Sequence, residues 1–203
     1  MILQFIQSVF VESYDPTLED SYKKEIIIDS IPVTLEIIDT AGQEELTRYV
    51  VAQCKNLISE WYSHHSLRDA YVKNGDGFLL VYSITAHQSF QEVVDVMDQI
   101  LRAKDIDADD PIDIANSLSV VVIGNKADLQ NERTVPLAAL QKLNEKFGGH
   151  IPIFETSAKD KLNVEQCFMA LAKQVYDKKT GKQVIRKDGN NRSGDNQSCC
   201  ILM

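Results

Sequence analysis

Short apolar runs rich in β-branched residues alternate with amphipathic helical patterns along most of this chain of 203 residues. The runs at residues 77–84, 119–124 and 151–156 are apolar throughout, which is typical of strands buried on both faces. Each of them is followed by a stretch whose apolar side chains recur on one helical face. Strands that alternate with helices predict an α/β sheet with flanking helices and right-handed crossovers.

The elements around these runs can be placed from local signals. A capping-box spacing at residues 89–92 predicts the start of the first helix, and Leu137 lies at the start of the second. Two further apolar runs, at residues 25–29 and 33–39, are separated by Ser30, Ile31 and Pro32 and predict a hairpin. After Asp177 the chain becomes polar and rich in Gly, Asn and Ser. We therefore expect a globular domain at 1–177 and a flexible tail at 178–203.

Composition and charge exclude some classes of protein. Hydrophobic residues make up 44% and charged residues 25%, and no apolar run approaches the ~20 residues of a membrane-spanning helix. Four cysteines suit a reducing, cytosolic compartment. The net charge of −9 argues against a nucleic-acid partner. The tail holds six basic and two acidic side chains, whereas the body holds 15 basic and 28 acidic ones. The basic charge of the tail therefore needs an explanation of its own.

Three polar motifs follow predicted strands, at the edge where α/β sheets bind ligands. In the first, Asp39 ends a strand, and Gly42 and Gln43 come shortly after it. A carboxylate there can hold Mg²⁺, a glycine lets a backbone N–H approach a phosphate, and a glutamine can orient a water molecule. An ordinary turn after a strand is the alternative interpretation.

The second motif contains Asn125, Lys126 and Asp128. The Asp128 carboxylate can accept hydrogen bonds from the N1–H and 2-amino groups of guanine, whereas adenine would leave it unpaired. Asn125 and Lys126 would brace the base and the neighbouring loop. The third motif, residues 155–159, offers backbone N–H groups to a base carbonyl and the stem of Lys159 to a ring face. A polar turn is again the alternative for each.

In this order, and together with residues 14–22, the motifs resemble the Ras branch of the small GTPases over most of residues 3–177 and the last four residues. The resemblance implies a P-loop NTPase-like fold, GTP or GDP with Mg²⁺ as ligands, and GTP hydrolysis. It further implies a GTP/GDP switch in signal transduction, with effector proteins, an exchange factor and a GTPase-activating protein as partners.

The resemblance also assigns roles to single residues. Phe10 would stack on the guanine, Thr17 and Asp39 would serve Mg²⁺, Gly42 would contact the γ-phosphate, and Gln43 would position the attacking water. The rest of the implied nucleotide-binding set is Asn125, Lys126, Asp128, Ser157, Ala158 and Lys159. The implied effector-binding surface is Tyr14, Asp15, Pro16, Thr17, Leu18, Glu19, Asp20, Ser21 and Tyr22.

The chain departs from this pattern at its start. The family begins with a strand and a Gly-rich phosphate-binding loop, whereas here no glycine precedes Gly42, as in an N-terminally truncated member. We therefore expect a sheet without its first, central strand, with a gap between residues 33–39 and 77–84. We also expect weak nucleotide binding, because the phosphate cradle is missing.

A second departure is an insert of about 18 residues at 48–65. Two interpretations of this insert stay open: an added amphipathic helix, or the translation of a retained intron. The apolar residues that would share one helical face are Val50, Val51, Cys54, Leu57, Ile58 and Trp61. A shorter surplus at 112–118 predicts a surface loop. Two alternatives to an active GTPase stay open: a non-enzymatic, effector-binding pseudo-GTPase, and an imperfect gene model of a true GTPase.

The chain ends in two cysteines followed by Ile201, Leu202 and Met203. A cysteine four residues from the end, two aliphatic residues and a final methionine form a prenylation signal, which predicts a farnesyl group on Cys200. One lipid chain anchors a protein only marginally, so Cys199 is the candidate for a palmitoyl group. The expected location is the cytoplasmic face of the plasma membrane.

Overall fold

A computed structural model describes residues 1–11, 19–40, 49–52, 72–182 and 201–202. The helices are α1 (Ile2–Gln7), α2 (His87–Ala103), α3 (Pro111–Ser117), α4 (Leu137–Lys146) and α5 (Val164–Lys179), with a 3₁₀ helix at Ala127–Glu132. The strands are β1 (Glu19–Ile28), β2 (Ile31–Thr40), β3 (Tyr49–Ala52), β4 (Gly77–Ser83), β5 (Val120–Asn125), β6 (Ile153–Glu155) and β7 (Ile201–Leu202).

The seven strands form one sheet, in which six follow the order β1-β2-β3-β4-β5-β6 and β7 pairs with β2. The last three strands of this order are parallel, which confirms that the three continuous apolar runs form strands of one sheet. The predicted hairpin is also confirmed, since β1 and β2 are antiparallel. Its turn is the two-residue step Asp29–Ser30 and not the predicted Ser30, Ile31 and Pro32, because Ile31 and Pro32 pair with Ile28 and Ile27. Both turn residues have positive φ values (50° and 67°), as in the tight turns that match strand twist.

Strand β3 lies between β2 and β4 and is antiparallel to both. The predicted central gap is therefore filled, and the strand that fills it comes from the segment interpreted as an added helix. The run from Tyr49 to Ala52 fits either periodicity because it is so short. Two neighbouring strand edges favour the extended form, since pairing satisfies backbone groups that would otherwise be orphaned. Residues 53–65 of the insert lie outside the described residues.

The tail also differs from its prediction, at both of its ends. Helix α5 continues to Lys179, past the expected boundary at residue 178. Beyond it, Lys182 pairs with Asp29 at 3.2 Å, so three basic residues assigned to the tail, Lys178, Lys179 and Lys182, belong to the folded body. At the other end, β7 runs parallel to β2, with Ile201 opposite Leu35. Ion pairs and backbone pairing hold parts of a segment that composition alone describes as polar and flexible.

The helices cover the two faces of the sheet. On one face, α2, α3 and α4 bury apolar side chains with β4, including Phe78, Tyr82, Met97, Ile100 and Phe147. On the other face, α1 and α5 pack on β2 and on the side of β4 that carries Leu79. The buried side chains there include Phe5, Leu35, Leu79, Phe168 and Leu171. The rings of Phe5 and Phe168 stack with centroids 4.1 Å apart. Both faces of β4 and β5 are thus largely buried, as their composition predicted, whereas all three residues of the edge strand β6 are half-buried.

Two local predictions need correction. Helix α2 begins at His87, and the hydroxyl of Ser89 donates to the Ala86 carbonyl at 2.7 Å instead of capping the helix. The predicted surface loop at 112–118 is largely helix α3, because Asp110 accepts hydrogen bonds from two backbone N–H groups of its first turn. Its side chain Ile114 is only 3% exposed, so this helix packs into the core.

Candidate functional site

The loops that follow β5 and β6 meet at the carboxyl edge of the parallel strands. The backbone N–H of Ala127 donates to the Thr156 carbonyl, and the N–H of Thr156 donates to the Gly124 carbonyl, both at 2.9 Å. Gly124 also permits a close approach to β4, because a Cβ atom there would lie 2.6 Å from the Tyr82 hydroxyl. The fold therefore brings together the second and third predicted motifs.

Asn125 joins these two loops through its side chain. Its Oδ1 atom accepts one hydrogen bond from the Thr156 hydroxyl and another from the Ala158 backbone N–H, each at 3.2 Å. Thr156 and Ala158 are buried. The amide plane of Asn125 is thereby fixed, and the N–H of Ala158 already points towards an oxygen acceptor. A base carbonyl at this place would share or replace the Asn125 oxygen.

Asp128 is exposed, yet its carboxylate is oriented by a buried neighbour. The hydroxyl of Ser157 donates to Asp128 Oδ1 at 2.6 Å and accepts a hydrogen bond from the Asp160 N–H at 3.0 Å. Ser157 is fully buried, so the hydroxyl that orients Asp128 belongs to the packed interior. A fixed carboxylate facing solvent can accept two parallel N–H donors, which is the donor pattern of the guanine edge.

The two predicted lysines of the site are exposed. Lys126 adopts a left-handed conformation (φ 69°, ψ 37°), which a residue other than glycine rarely takes. This turn starts the 3₁₀ helix and so places Asp128 in its first turn. Lys159 follows the buried Ala158 at the end of the third motif. The charged ends of both lysines are accessible to a ligand beside the loops.

A salt bridge fixes the 3₁₀ helix against β6. Arg133 and Glu155 approach to 2.7 Å, and Gln130 donates to Glu155 at 3.2 Å. The hydrogen bond from Arg133 holds the pKa of the Glu155 carboxyl below its usual range, and the same bond raises the pKa of Arg133. Because Glu155 directly precedes Thr156 and Ser157, this pair links the strand that leads to Ser157 with the 3₁₀ helix that carries Asp128.

Gln4 is a site residue that the sequence analysis missed. Its side chain is only 6% exposed, and its Nε2 atom donates to the Ala158 carbonyl at 2.9 Å. Next to it, the Thr156 hydroxyl contacts the Met1 sulfur at 3.7 Å. A glutamine on the buried face of α1, between Ile2 and Phe5, is a signal that could have found it, because such a polar group needs a partner.

The other predicted site residues fall into two groups. Phe10 follows α1 and is 44% exposed, as a side chain that receives a ring must be. Asp39 lies near the end of β2, opposite Asp20 of β1. Glu19, Asp20, Ser21 and Tyr22 form the start of β1, where the Tyr22 hydroxyl donates to Asp20 at 3.1 Å. The predicted residues that lie outside the described part are Tyr14, Asp15, Pro16, Thr17, Leu18, Gly42, Gln43, Cys199 and Cys200.

The described residues include the groups that a guanine would need, but only part of the predicted metal site. The oriented Asp128 carboxylate, the Ala158 N–H and the exposed Phe10 supply acceptor, donor and stacking surface. Of the two predicted Mg²⁺ ligands, only Asp39 is described, and the described residues contain no group of three acidic, His or Cys side chains that could hold a metal ion. Within the same part of the chain, no helix is long and apolar enough to cross a membrane.

Comparison with known proteins gives one consistent result. The sequence profile described as "Ras family" matches residues 1–57 and 60–177. The chain is 34% identical to Ras-like protein 2 of Mucor circinelloides f. lusitanicus over 203 residues, which is all of this chain and 87% of that protein. It is 38% identical to Ras-like protein RAS2 of Hydra vulgaris over 193 residues, which is 95% of this chain and 85% of that protein.

Proposed function

The chain belongs to the Ras family of small GTPases, and on this premise we propose that it recognises GDP and GTP through the loops after β5 and β6 and acts as a GTP/GDP switch. Members of this family hydrolyse GTP. The observation that carries the proposal is the hydrogen-bond set that orients Asp128 and Asn125 on the buried Ser157, Thr156 and Ala158.

Each residue of this set has a separate task in holding a guanine. Asp128 accepts the N1–H and 2-amino donors, and Ser157 prevents its carboxylate from rotating away. The Ala158 N–H donates to the base carbonyl, while Phe10 and the stem of Lys159 cover the ring faces. When a nucleotide and Mg²⁺ are bound, Thr17 and Asp39 would hold the metal ion, and Gly42 would contact the γ-phosphate. Gln43 orients the attacking water.

Selectivity for guanine follows from the charge of Asp128. Adenine presents no pair of N–H donors in this place, so the carboxylate would lose solvent without gaining partners. Hypoxanthine keeps the N1–H but lacks the 2-amino group, and so removes one hydrogen bond to a charged acceptor. Such a bond contributes about 1.5–3 kcal/mol, or roughly a tenfold to hundredfold change in affinity.

Competition binding tests this proposal. Purified protein is titrated with GDP, inosine diphosphate and ADP in the presence of Mg²⁺. We expect the affinity to fall in that order, with at least about a tenfold step between the first two. Equal affinity for GDP and ADP would contradict guanine recognition by Asp128, whatever the absolute affinities are.

One observation favours a second candidate, an effector-binding protein that does not hydrolyse GTP. Thr40 at the end of β2 pairs with Tyr49 at the start of β3, so the sheet anchors both ends of the intervening segment that carries Gly42 and Gln43. A switch needs its loops to reorder when the γ-phosphate leaves. Single-turnover hydrolysis of GTP separates the candidates: turnover that Gln43→Leu abolishes supports the switch, and binding without turnover supports the second.

We place the protein at the cytoplasmic face of the plasma membrane, held by lipids on Cys200 and Cys199 and working with effectors, an exchange factor and a GTPase-activating protein. The support is the terminal Cys-Ile-Leu-Met sequence. Since Ile201 and Leu202 pair with β2, the terminus must leave the sheet before an enzyme can modify Cys200. Lys179 is engaged with Asp76 at 2.6 Å, so electrostatic attraction by the tail is weaker than its charge count indicates, and a second lipid becomes more important.

A further inference from the structure

A cavity of about 240 Å³ lies at the end of the sheet opposite to the base site. Its walls come from α3, the start of β5, the segment before β6 and the last turns of α5. Most of the lining side chains are apolar: Ile114, Leu118, Val120, Phe147, Ile151 and Pro152. The cavity therefore offers a ligand apolar contacts beside the polar groups of Asn116, His150, Gln174 and Lys178.

One cation lines this apolar cavity. The amine of Lys178 donates a hydrogen bond to the Leu118 carbonyl, and burial lowers the pKa of Lys178 to about 8. No carboxylate of the described residues offsets this effect. The neighbouring lysines differ, since Lys179 pairs with Asp76 at 2.6 Å and Lys173 pairs with Asp177 at 2.8 Å. Lys178 is therefore a desolvated cation without a counter-charge, an arrangement that costs free energy unless an anion joins it.

The other polar groups of the cavity do not supply that anion. The amide of Gln174 is used on both sides, because it accepts from the Val120 N–H at 3.2 Å and donates to the Val120 carbonyl at 3.3 Å. His150 lines the cavity but is itself exposed, and its imidazole carries no negative charge. Among the described residues that line the cavity, Lys178 is thus the cation with which an anionic ligand would pair.

We propose that this cavity, the Lys178 cavity, binds a small carboxylic acid with a short unbranched apolar chain, whose carboxylate pairs with the Lys178 amine. The carboxylate would supply the missing counter-charge, and the chain would lie against Ile114 and Phe147. The size fits such a ligand, because 240 Å³ is below the about 300–1,000 Å³ typical of pockets for larger ligands.

The site depends on a segment that distinguishes this chain from the family pattern. Helix α3 lies in the surplus before β5, and Ile114, Ala115 and Asn116 of this helix form one wall. Asp110 caps the helix, and Ile114 anchors it in the core. The wall is therefore built into the fold and is not a chance contact of a surface loop.

Titration of the full-length protein with hexanoate tests the proposal, with hexanamide as the neutral ligand of equal shape. Binding is followed by chemical shifts in two-dimensional NMR. We expect saturable shifts around α3 and the end of α5 with hexanoate, and none with hexanamide. We also expect hexanoate to raise the pH at which the Lys178 side chain titrates, because the anion stabilises its charged form.

Two variants and one control complete the test. Lys178→Met keeps the apolar stem and removes the charge, and should weaken hexanoate binding at least about tenfold. Ala115→Phe fills the cavity and should abolish binding while Lys178 stays in place. Lys142→Met changes an exposed lysine of α4 and should have no effect. The proposal is overturned if wild-type protein does not bind hexanoate saturably, if hexanamide binds equally well, or if Lys178→Met binds like the control.

Discussion

The side-chain amide of Gln4 donates a 2.9 Å hydrogen bond to the backbone carbonyl of Ala158, and so ties α1 to the loop after β6. The same loop offers the Ala158 N–H to the base site. A contact between residues 154 positions apart therefore helps to position the Ala158 N–H, the donor that a nucleotide base would use. Helix α1 is thus a support for base recognition as well as a cover for the sheet.

Replacing Gln4 with methionine tests this support. The variant keeps the volume of the side chain and leaves the buried Ala158 carbonyl without its donor, which costs about 1–3 kcal/mol. We expect a lower midpoint in thermal unfolding and weaker binding of GDP. Gln7→Met, at an exposed position of the same helix, is the control. If Gln4→Met binds GDP like this control, α1 does not position the loop.

The Arg133–Glu155 pair makes a prediction about pH. Because Arg133 lowers the pKa of Glu155, the pair stabilises the fold at neutral pH, and this contribution is lost as the pH falls through that lowered pKa. Arg133→Met should reduce the free energy of unfolding by about 1–3 kcal/mol at pH 7. The difference from wild type should shrink well below pH 4.3, the ordinary pKa of glutamic acid. Chemical unfolding at pH 7 and pH 3 measures both values, and an unchanged difference would refute the coupling.

Strand β3 makes a prediction about the insert. Val51 pairs with Ile38 on one side and Phe78 on the other, so a proline there interrupts a ladder inside the sheet. We expect Val51→Pro to lower stability by about 1–3 kcal/mol, with Val51→Ala as the control that keeps the backbone N–H. Thermal unfolding measures this loss. Equal stability of the two variants would show that the segment is not a central strand.

The terminal sequence makes a prediction about location. Cys200→Ser removes the acceptor of the prenyl group, and the protein should become cytosolic in cell fractionation. Cys199→Ser should leave it prenylated but spread over internal membranes and cytosol, because a single lipid anchors weakly. Mass spectrometry of the C-terminal peptide verifies each lipid. Membrane association that survives Cys200→Ser would exclude this anchor.

The parts that could be predicted from the sequence are those with a continuous local signal. The apolar runs of β4, β5 and β6 and the base motifs after two of them lie where expected, because their neighbours in the chain determine both strand and turn. Asp128 and Ser157 meet at 2.6 Å for the same reason, since adjacent parallel strands bring their following loops together.

The parts that could not be predicted depend on distant partners. Tyr49–Ala52 fits helix and strand equally well as a short apolar run, and only the free edges of β2 and β4 decide for a strand. Gln4 has no motif of its own, and its role becomes visible only when Ala158 is placed beside it. The cap at Asp110 turned a predicted loop into α3, a local signal that the sequence analysis passed over.

Guanine recognition by Asp128 is tested most directly by reversing the preference of the site. Asp128→Asn replaces one acceptor with an N–H donor, which suits the 2-carbonyl and N1–H of xanthine and no longer suits the 2-amino group of guanine. Asp160→Asn, at a nearby exposed carboxylate, is the matched control. Competition between GDP and xanthosine diphosphate is measured for wild type and both variants. The account predicts that wild type and Asp160→Asn prefer GDP and that Asp128→Asn prefers xanthosine diphosphate; an unchanged preference for GDP in Asp128→Asn would contradict it.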